Sequence, residues 1–183
     1  MLSAISHVAM PTVAAGQIHR HLTVVPLSVM GCYKVNSDGS RRVEGGLAAC
    51  RGLIRDPVGE WVLGYAKAIG VCLVVDAELW GIYIGLAYAW DLHIRRVIVE
   101  TDCLEALRLL KVGSNGQVSP DLVLHVLELC HRPWDVSLRQ LKRDANRDAD
   151  QMAKLVIFDG LDVSTFQVPT HVVGHLLHAN VGD

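Results

Sequence analysis

Four carboxylates fall where one sequence pattern gives way to another, and acids so placed either finish local structure or bind cations. Asp38 stands in "NSDGS", after an apolar strand-like run and before glycine, where a turn aspartate is the simplest reading. Asp102 closes "VIVETD", and with Glu105 three residues on it has the spacing of a helix-capping box. Asp150 lies beside Asp148 in the first turns of the last helical segment, where the helix dipole favours acids. Glu78 has no such local explanation. It sits in "DAELWG", within an almost wholly apolar helical run, with no Lys or Arg one turn away on either side. A buried, unpaired carboxylate is costly, so Glu78 requires a partner.

A metal ion would be such a partner, and it would give the other acids a purpose. If the first and fourth strands are neighbours in one sheet, Asp38 and Asp102 end near each other and near Glu78. Converging carboxylates repel unless cations hold them. Oxygen-only ligands favour Mg²⁺ or Mn²⁺ over zinc. Two such ions about 4 Å apart suit in-line hydrolysis of a phosphodiester, one activating the water and the other stabilising the leaving oxygen.

The elements that must position these acids can be read from periodicity and punctuation. Residues 31–38 read as a strand running into a turn at Asp38-Gly39. Residues 45–56 and 61–70 read as two further strands around the turn "PVGE" at 57–60, giving an antiparallel meander. Over 74–92, Leu79, Ile82, Leu86 and Ala89 follow helical spacing. Gly81, Gly85 and Ala89 add a stripe of small residues that lets this helix lie close to a sheet. Residues 95–102 form a short strand of buried type and 103–112 a helix. The segment 119–133 is a helix with Ser119 at its N-cap, Pro120 at its first position and Pro133 at its end. Residues 135–141 alternate like a strand, and Asn146 opens a last helix over 146–158. Three strands followed by alternating helices and strands imply an α/β mixed sheet: an antiparallel meander, then parallel strands, with helices packed on it.

The 183 residues fit one domain with appendages, and a 51% hydrophobic composition is enough for a full core. Residues 1–33 carry one basic group, Arg20, and no acid, whereas 155–183 carry three acids and no Lys or Arg. The remaining 16 basic and 16 acidic groups lie in 34–154, where a solvated domain is expected. The two ends therefore read as appendages, a leader and a C-terminal tail. The leader lacks the basic start and apolar centre of a secretory signal. A formal charge of −2 excludes a grossly basic nucleic-acid binder, though not a local basic surface. Five widely spaced cysteines without a CxxC pattern read as reduced thiols, placing the protein in a reducing intracellular compartment, nucleus and cytoplasm not distinguished. No apolar run is long enough to span a bilayer, so no membrane partner is expected.

The stretches "KVNSDGS", "RGLIRDPVGEWVLGYAKAIG", "DAELWGIYIGLAYAWDLHIRRVIVETDCLEAL" and "RDANRDADQMAK" carry a resemblance to the ribonuclease H type 1 superfamily. The likeness is greatest to the plant reverse-transcriptase-like RNase H domains of retroelement-derived proteins, and it covers about residues 26–158, which leaves 1–25 as the leader and 159–183 as the C-terminal tail. It implies an RNase H-like fold, with a five-stranded mixed sheet and helices on both faces. The family's D-E-D-D set falls on Asp38, Glu78, Asp102 and Asp150. By the resemblance, Asp38, Glu78 and Asp102 would bind one Mg²⁺ or Mn²⁺ ion and Asp38 with Asp150 a second. The activity implied is endonucleolytic hydrolysis of the RNA strand of an RNA–DNA hybrid by a monomer. Gly39, Ser40, Arg41 and Asn146 are the candidate substrate contacts. With the four site acids set aside, residues 34–154 hold 16 basic groups against 12 acids, which suits a polyanionic partner.

Two stretches depart from that pattern. Gln140, in "QLKRDAN", stands where the family usually has a histidine thought to assist proton transfer or product release. Glutamine cannot titrate, and loss of a general acid–base group typically lowers turnover by about 10²–10⁴. In "AACRG" (48–52), Ala49 and Arg51 add bulk where the family commonly has A-G-x-G-G. These departures keep open an alternative, a catalytically inactive nucleic-acid-binding module or a retroelement remnant. His171, His175 and His178 share helical spacing, but no nearby carboxylate or cysteine supports a zinc site.

Overall fold

A computed structural model of the chain describes residues 31–112, 119–141 and 163–167. The elements are β1 (Tyr33–Arg41), β2 (Leu47–Arg55), β3 (Trp61–Val71), α1 (Val74–Asp91), β4 (Arg96–Thr101), α2 (Leu104–Val112), α3 (Pro120–Cys130), β5 (Asp135–Gln140) and β6 (Val163–Phe166). They form a mixed sheet in the order β5-β4-β1-β2-β3-β6. The β1–β2–β3 meander is antiparallel, and β4 and β5 join it in parallel beside β1.

Among the described residues the sheet has six strands, where five are expected. The sixth, β6, runs antiparallel to β3, with Gly64 opposite Phe166 and Lys67 opposite Val163. Trp61 Nε1 fastens it by donating to the Phe166 carbonyl at 3.1 Å. Four residues carry too little pattern to announce a strand, and this one is specified by the free edge of β3.

A second correction concerns the first turn. It does not fall at Asp38-Gly39: β1 continues to Arg41, and the chain reverses over residues 43–46. Gly45 and Gly46 supply the left-handed backbone there, with φ of 74° and 67°, a conformation other residues adopt only at a cost. Asp38 therefore lies inside a strand with its backbone engaged in the ladder opposite Arg51. The turn at 57–60 forms as read, with Asp56 Oδ1 accepting from the amides of Val58 (3.0 Å) and Glu60 (2.8 Å).

Helix α1 is apolar nearly all round because it is covered on two sides. It lies across β1 and β2, and α3 packs on its other side. Leu79, Ile82 and Leu86 are fully buried between them. The small-residue stripe faces the sheet: a Cβ on Gly85 would stand 2.4 Å from Val35 Cγ1, and one on Gly81 would stand 3.3 Å from Ser37 Cβ. Tyr65, fully buried on β3, locks the contact by donating its hydroxyl to the Gly81 carbonyl at 2.8 Å. At the start of α1, Asp76 accepts from the Leu73 amide (3.3 Å) and from the Ser119 amide (3.2 Å), which ties the entry of α3 to the entry of α1. The helix expected over 146–158, and with it any second helical layer, lies outside the described residues, as does the leader.

Candidate functional site

The parallel register brings the site together at one end of the sheet. Pairing between β1 and β4 ends at Asn36 opposite Glu100, so β1 runs on past the last residues of β4. Asp38 projects from that overhang, Asp102 follows the end of β4, and Glu78 comes from the second turn of α1. Carboxylate oxygens of the three lie within 4.8 Å of one another. Asp38 and Glu78 are buried, and Asp102 is half-buried.

Close backbone approach sets this spacing. A Cβ on Gly39 would meet the Glu78 nitrogen at 2.5 Å, so only glycine lets α1 sit against β1 next to Asp38. The Gly39 amide also donates a hydrogen bond to Glu78. Thr101 Oγ1 donates to Glu78 Oε2 at 3.3 Å. Burial pushes the Glu78 carboxyl up to about 8, and the negative charges of Asp38 and then Asp102 act in the same direction against those two hydrogen bonds.

Asp102 is not the N-cap of α2. The helix begins at Leu104, and the Ala106 amide, the third of the helix, points to Cys103 Sγ at 3.5 Å. The Cys103 amide in turn donates to Thr101 Oγ1 at 3.1 Å. The capping-box reading was one residue early, and the correction leaves the Asp102 carboxylate beside Asp38 and Glu78.

Arg51 is a part of the site that the sequence did not announce as such. It faces Asp38 across the β1–β2 ladder, and its Nη2 pairs with Asp38 Oδ2. Its Nη1 donates to Ser40 Oγ at 3.0 Å, and the residue is only 4% exposed. A lone arginine between "AAC" and "GLI" in a buried strand was the available signal, since a guanidinium enters a core only with an acid to meet it. The bulk expected to disturb "AACRG" is thus accommodated, with Ala49 buried at 1% exposure.

The remaining candidates divide. Gly39 packs on α1, Ser40 accepts from Arg51, and Arg41 is exposed. Gln140 ends β5 opposite Thr101, one residue from Asp102. Glu100, also buried nearby, is engaged by Asn36 Nδ2 at 3.0 Å and Lys34 Nζ at 3.8 Å. Asp150, Asn146 and the three C-terminal histidines lie outside the described residues. The five cysteines are free thiols, and no helix among the described residues is long and apolar enough to cross a membrane.

An all-carboxylate donor set fits a hard divalent cation better than zinc. Comparison with known proteins gives the family and the fold. The family model described as "Reverse transcriptase-like" matches residues 36–156. A protein of Arabidopsis thaliana with a provisional ribonuclease H name is 36% identical over 152 residues, which are 81% of this chain and 24% of that protein. The chain thus spans about a quarter of the length of that curated relative. Among solved structures, RNase H1 from the halophilic archaeon Halobacterium salinarum superposes with a TM-score of 0.59 at 24% identity, over 66% of this chain and 92% of that one. The N-terminal RNase H domain of a Mycobacterium tuberculosis protein gives 0.59 at 22% identity, over 66% and 88%. LC11-RNase H1, isolated from compost and solved with an RNA/DNA hybrid, gives 0.54 at 19% identity, over 64% and 91%. These likenesses establish the RNase H-like fold.

Proposed function

The chain belongs to the reverse transcriptase-like family, and on that premise we propose that it is an RNase H-type endonuclease acting on the RNA strand of RNA–DNA hybrids with divalent metal ions. The observation that carries this reading is the convergence of Asp38, Glu78 and Asp102 within 4.8 Å. Asp38, Glu78 and Asp102 would hold one Mg²⁺ or Mn²⁺, and Asp38 with Asp150 a second. Bound ions of this kind activate a water and stabilise the leaving oxygen at a phosphodiester. The protein's own part is positional. Gly39 and Thr101 orient Glu78, and the overhang of β1 past β4 presents Asp38 beside Asp102. Arg41, exposed at the end of β1, and neighbouring Arg42 are suited to phosphate contact. Gly39, Ser40 and Asn146 complete the candidate substrate contacts. Hybrid selection would rest on 2′-hydroxyls and duplex shape.

A second reading, a hybrid-binding module without turnover, draws support from one observation: Asp38 already holds a cation, Arg51. Cleavage of a labelled RNA–DNA hybrid in Mg²⁺ and in Mn²⁺, with Asp102→Asn alongside, separates the two. Metal-dependent cutting of the RNA strand, abolished by Asp102→Asn, is the expected result. Binding of the hybrid without cutting would leave only the second reading.

A further inference from the structure

We propose that Arg51 is a built-in competitor for the metal centre: its guanidinium occupies a cation position on Asp38, so that the site takes one divalent ion readily and a second only by displacing Arg51. The proposal rests on the reading of the three carboxylates as a metal site. Directly opposed residues of an antiparallel pair project to the same face of the sheet, so the register that sets Asp38 against Arg51 obliges the two side chains to meet. Arg51 is also anchored to Ser40 Oγ, which fixes its head group from a second direction. With its side chain 5% exposed, the guanidinium has given up water, and Asp38 repays that loss.

Charge counting then distinguishes the ligands. Asp38, Glu78 and Asp102 together bring three negative charges when ionised, and Arg51 brings one positive charge to Asp38 alone. One divalent ion neutralises what remains. A second ion, which would also depend on Asp38, meets a carboxylate already paired and a fixed positive charge a few ångströms away. Arg51 lies in "AACRG" (48–52), the stretch where the resemblance implies A-G-x-G-G. Arg51 is a positioning residue here, acting on the metals through Asp38.

The test is Mn²⁺ binding by the full chain, read by calorimetry and by the spin-resonance signal of free Mn²⁺, for wild type, Arg51→Met and Glu78→Gln. Removing one unit charge about 4–5 Å from a divalent ion predicts tightening of at least about tenfold to a hundredfold, the value at the dielectric of water, where screening is greatest. Arg51→Met is therefore expected to bind Mn²⁺ more tightly and to approach two ions at concentrations where wild type holds one. Unchanged or weaker binding by folded Arg51→Met, with wild type still binding, overturns the proposal and leaves the metal site standing. No Mn²⁺ bound by wild type or Arg51→Met at millimolar concentration overturns both. Should Arg51→Met fail to fold, melting of metal-free Asp38→Asn and Asp102→Asn gives the answer independently. Loss of stability on Asp38→Asn, which strands Arg51, with a gain on Asp102→Asn, which relieves repulsion, supports the pairing. Equal gains in both overturn it.

Discussion

Thr101 Oγ1 donates to Glu78 Oε2 at 3.3 Å, joining the last residue of β4 to the second turn of α1 at the point where three carboxylates meet. The bond orients Glu78 but does not offset its burial, and its carboxyl rises from 4.5 to about 8. The folded state thus holds this proton more tightly than the unfolded chain does. Its contribution to stability is full below about pH 4.5 and is lost as pH rises through about 8. Metal-free protein should melt at progressively lower temperature between about pH 5 and about pH 9, and Glu78→Gln should flatten that slope. A slope that survives Glu78→Gln would assign it to another group.

Divalent ions should reverse this loss. An ion that binds only the folded state adds RT ln(1 + [L]/Kd), about 2.7 kcal/mol at one hundred times Kd. At a pH where Glu78 is ionised, Mg²⁺ or Mn²⁺ should raise the melting temperature of wild type in proportion to the logarithm of its concentration. Asp102→Asn, lacking one of the three converging ligands, should respond much less. Equal shifts in the two proteins would mean that the ions act elsewhere.

Gly85 sets the height of α1 above the sheet. A methyl there would stand 2.4 Å from Val35 Cγ1 and 2.5 Å from Tyr65 Oη. Both neighbours are fully buried, so neither can move aside cheaply. Gly85→Ala should cost about 1–3 kcal/mol as an overpacked contact, read from the denaturant midpoint. Lifting α1 also moves Glu78 away from Asp38, so the same variant should bind Mn²⁺ less well. Undiminished stability would show that the helix can shift without disturbing the core.

Much of this was legible in the sequence because local chemistry and tertiary role agree. The helical spacing of Leu79, Ile82 and Leu86 and the glycines between them mark one helix that must lie close to a sheet, and α1 does. Glu78 declared itself by being an acid with no local reason to be there. What was misread depends on pairing, which a single strand does not encode. Asp38-Gly39 has turn residues, yet β2 pairs past it, and the reversal waits for Gly45-Gly46. Arg51 looked like intrusive bulk until the register placed it opposite Asp38. Asp102 and Cys103 are adjacent candidates for one cap, and a shift of one residue puts Cys103 Sγ there.

Gln140 is where chemistry rather than packing should respond. It ends β5 directly opposite Thr101 and is exposed, so its side chain can change without disturbing the core. The proposed function calls for a histidine at this position, and the strand end lies opposite Thr101, next to Asp102 in sequence. A glutamine offers hydrogen bonds but no proton to exchange. Gln140→His should therefore raise kcat by about 10²-fold, the lower end of what a positioned acid–base group contributes. Mn²⁺ affinity should stay constant, because no ligand has changed. The pH–rate profile should gain a limb near the imidazole range, about 6.5. A rise in kcat without that limb would point to faster product release, and no rise at all would show that proton transfer at this position does not limit turnover.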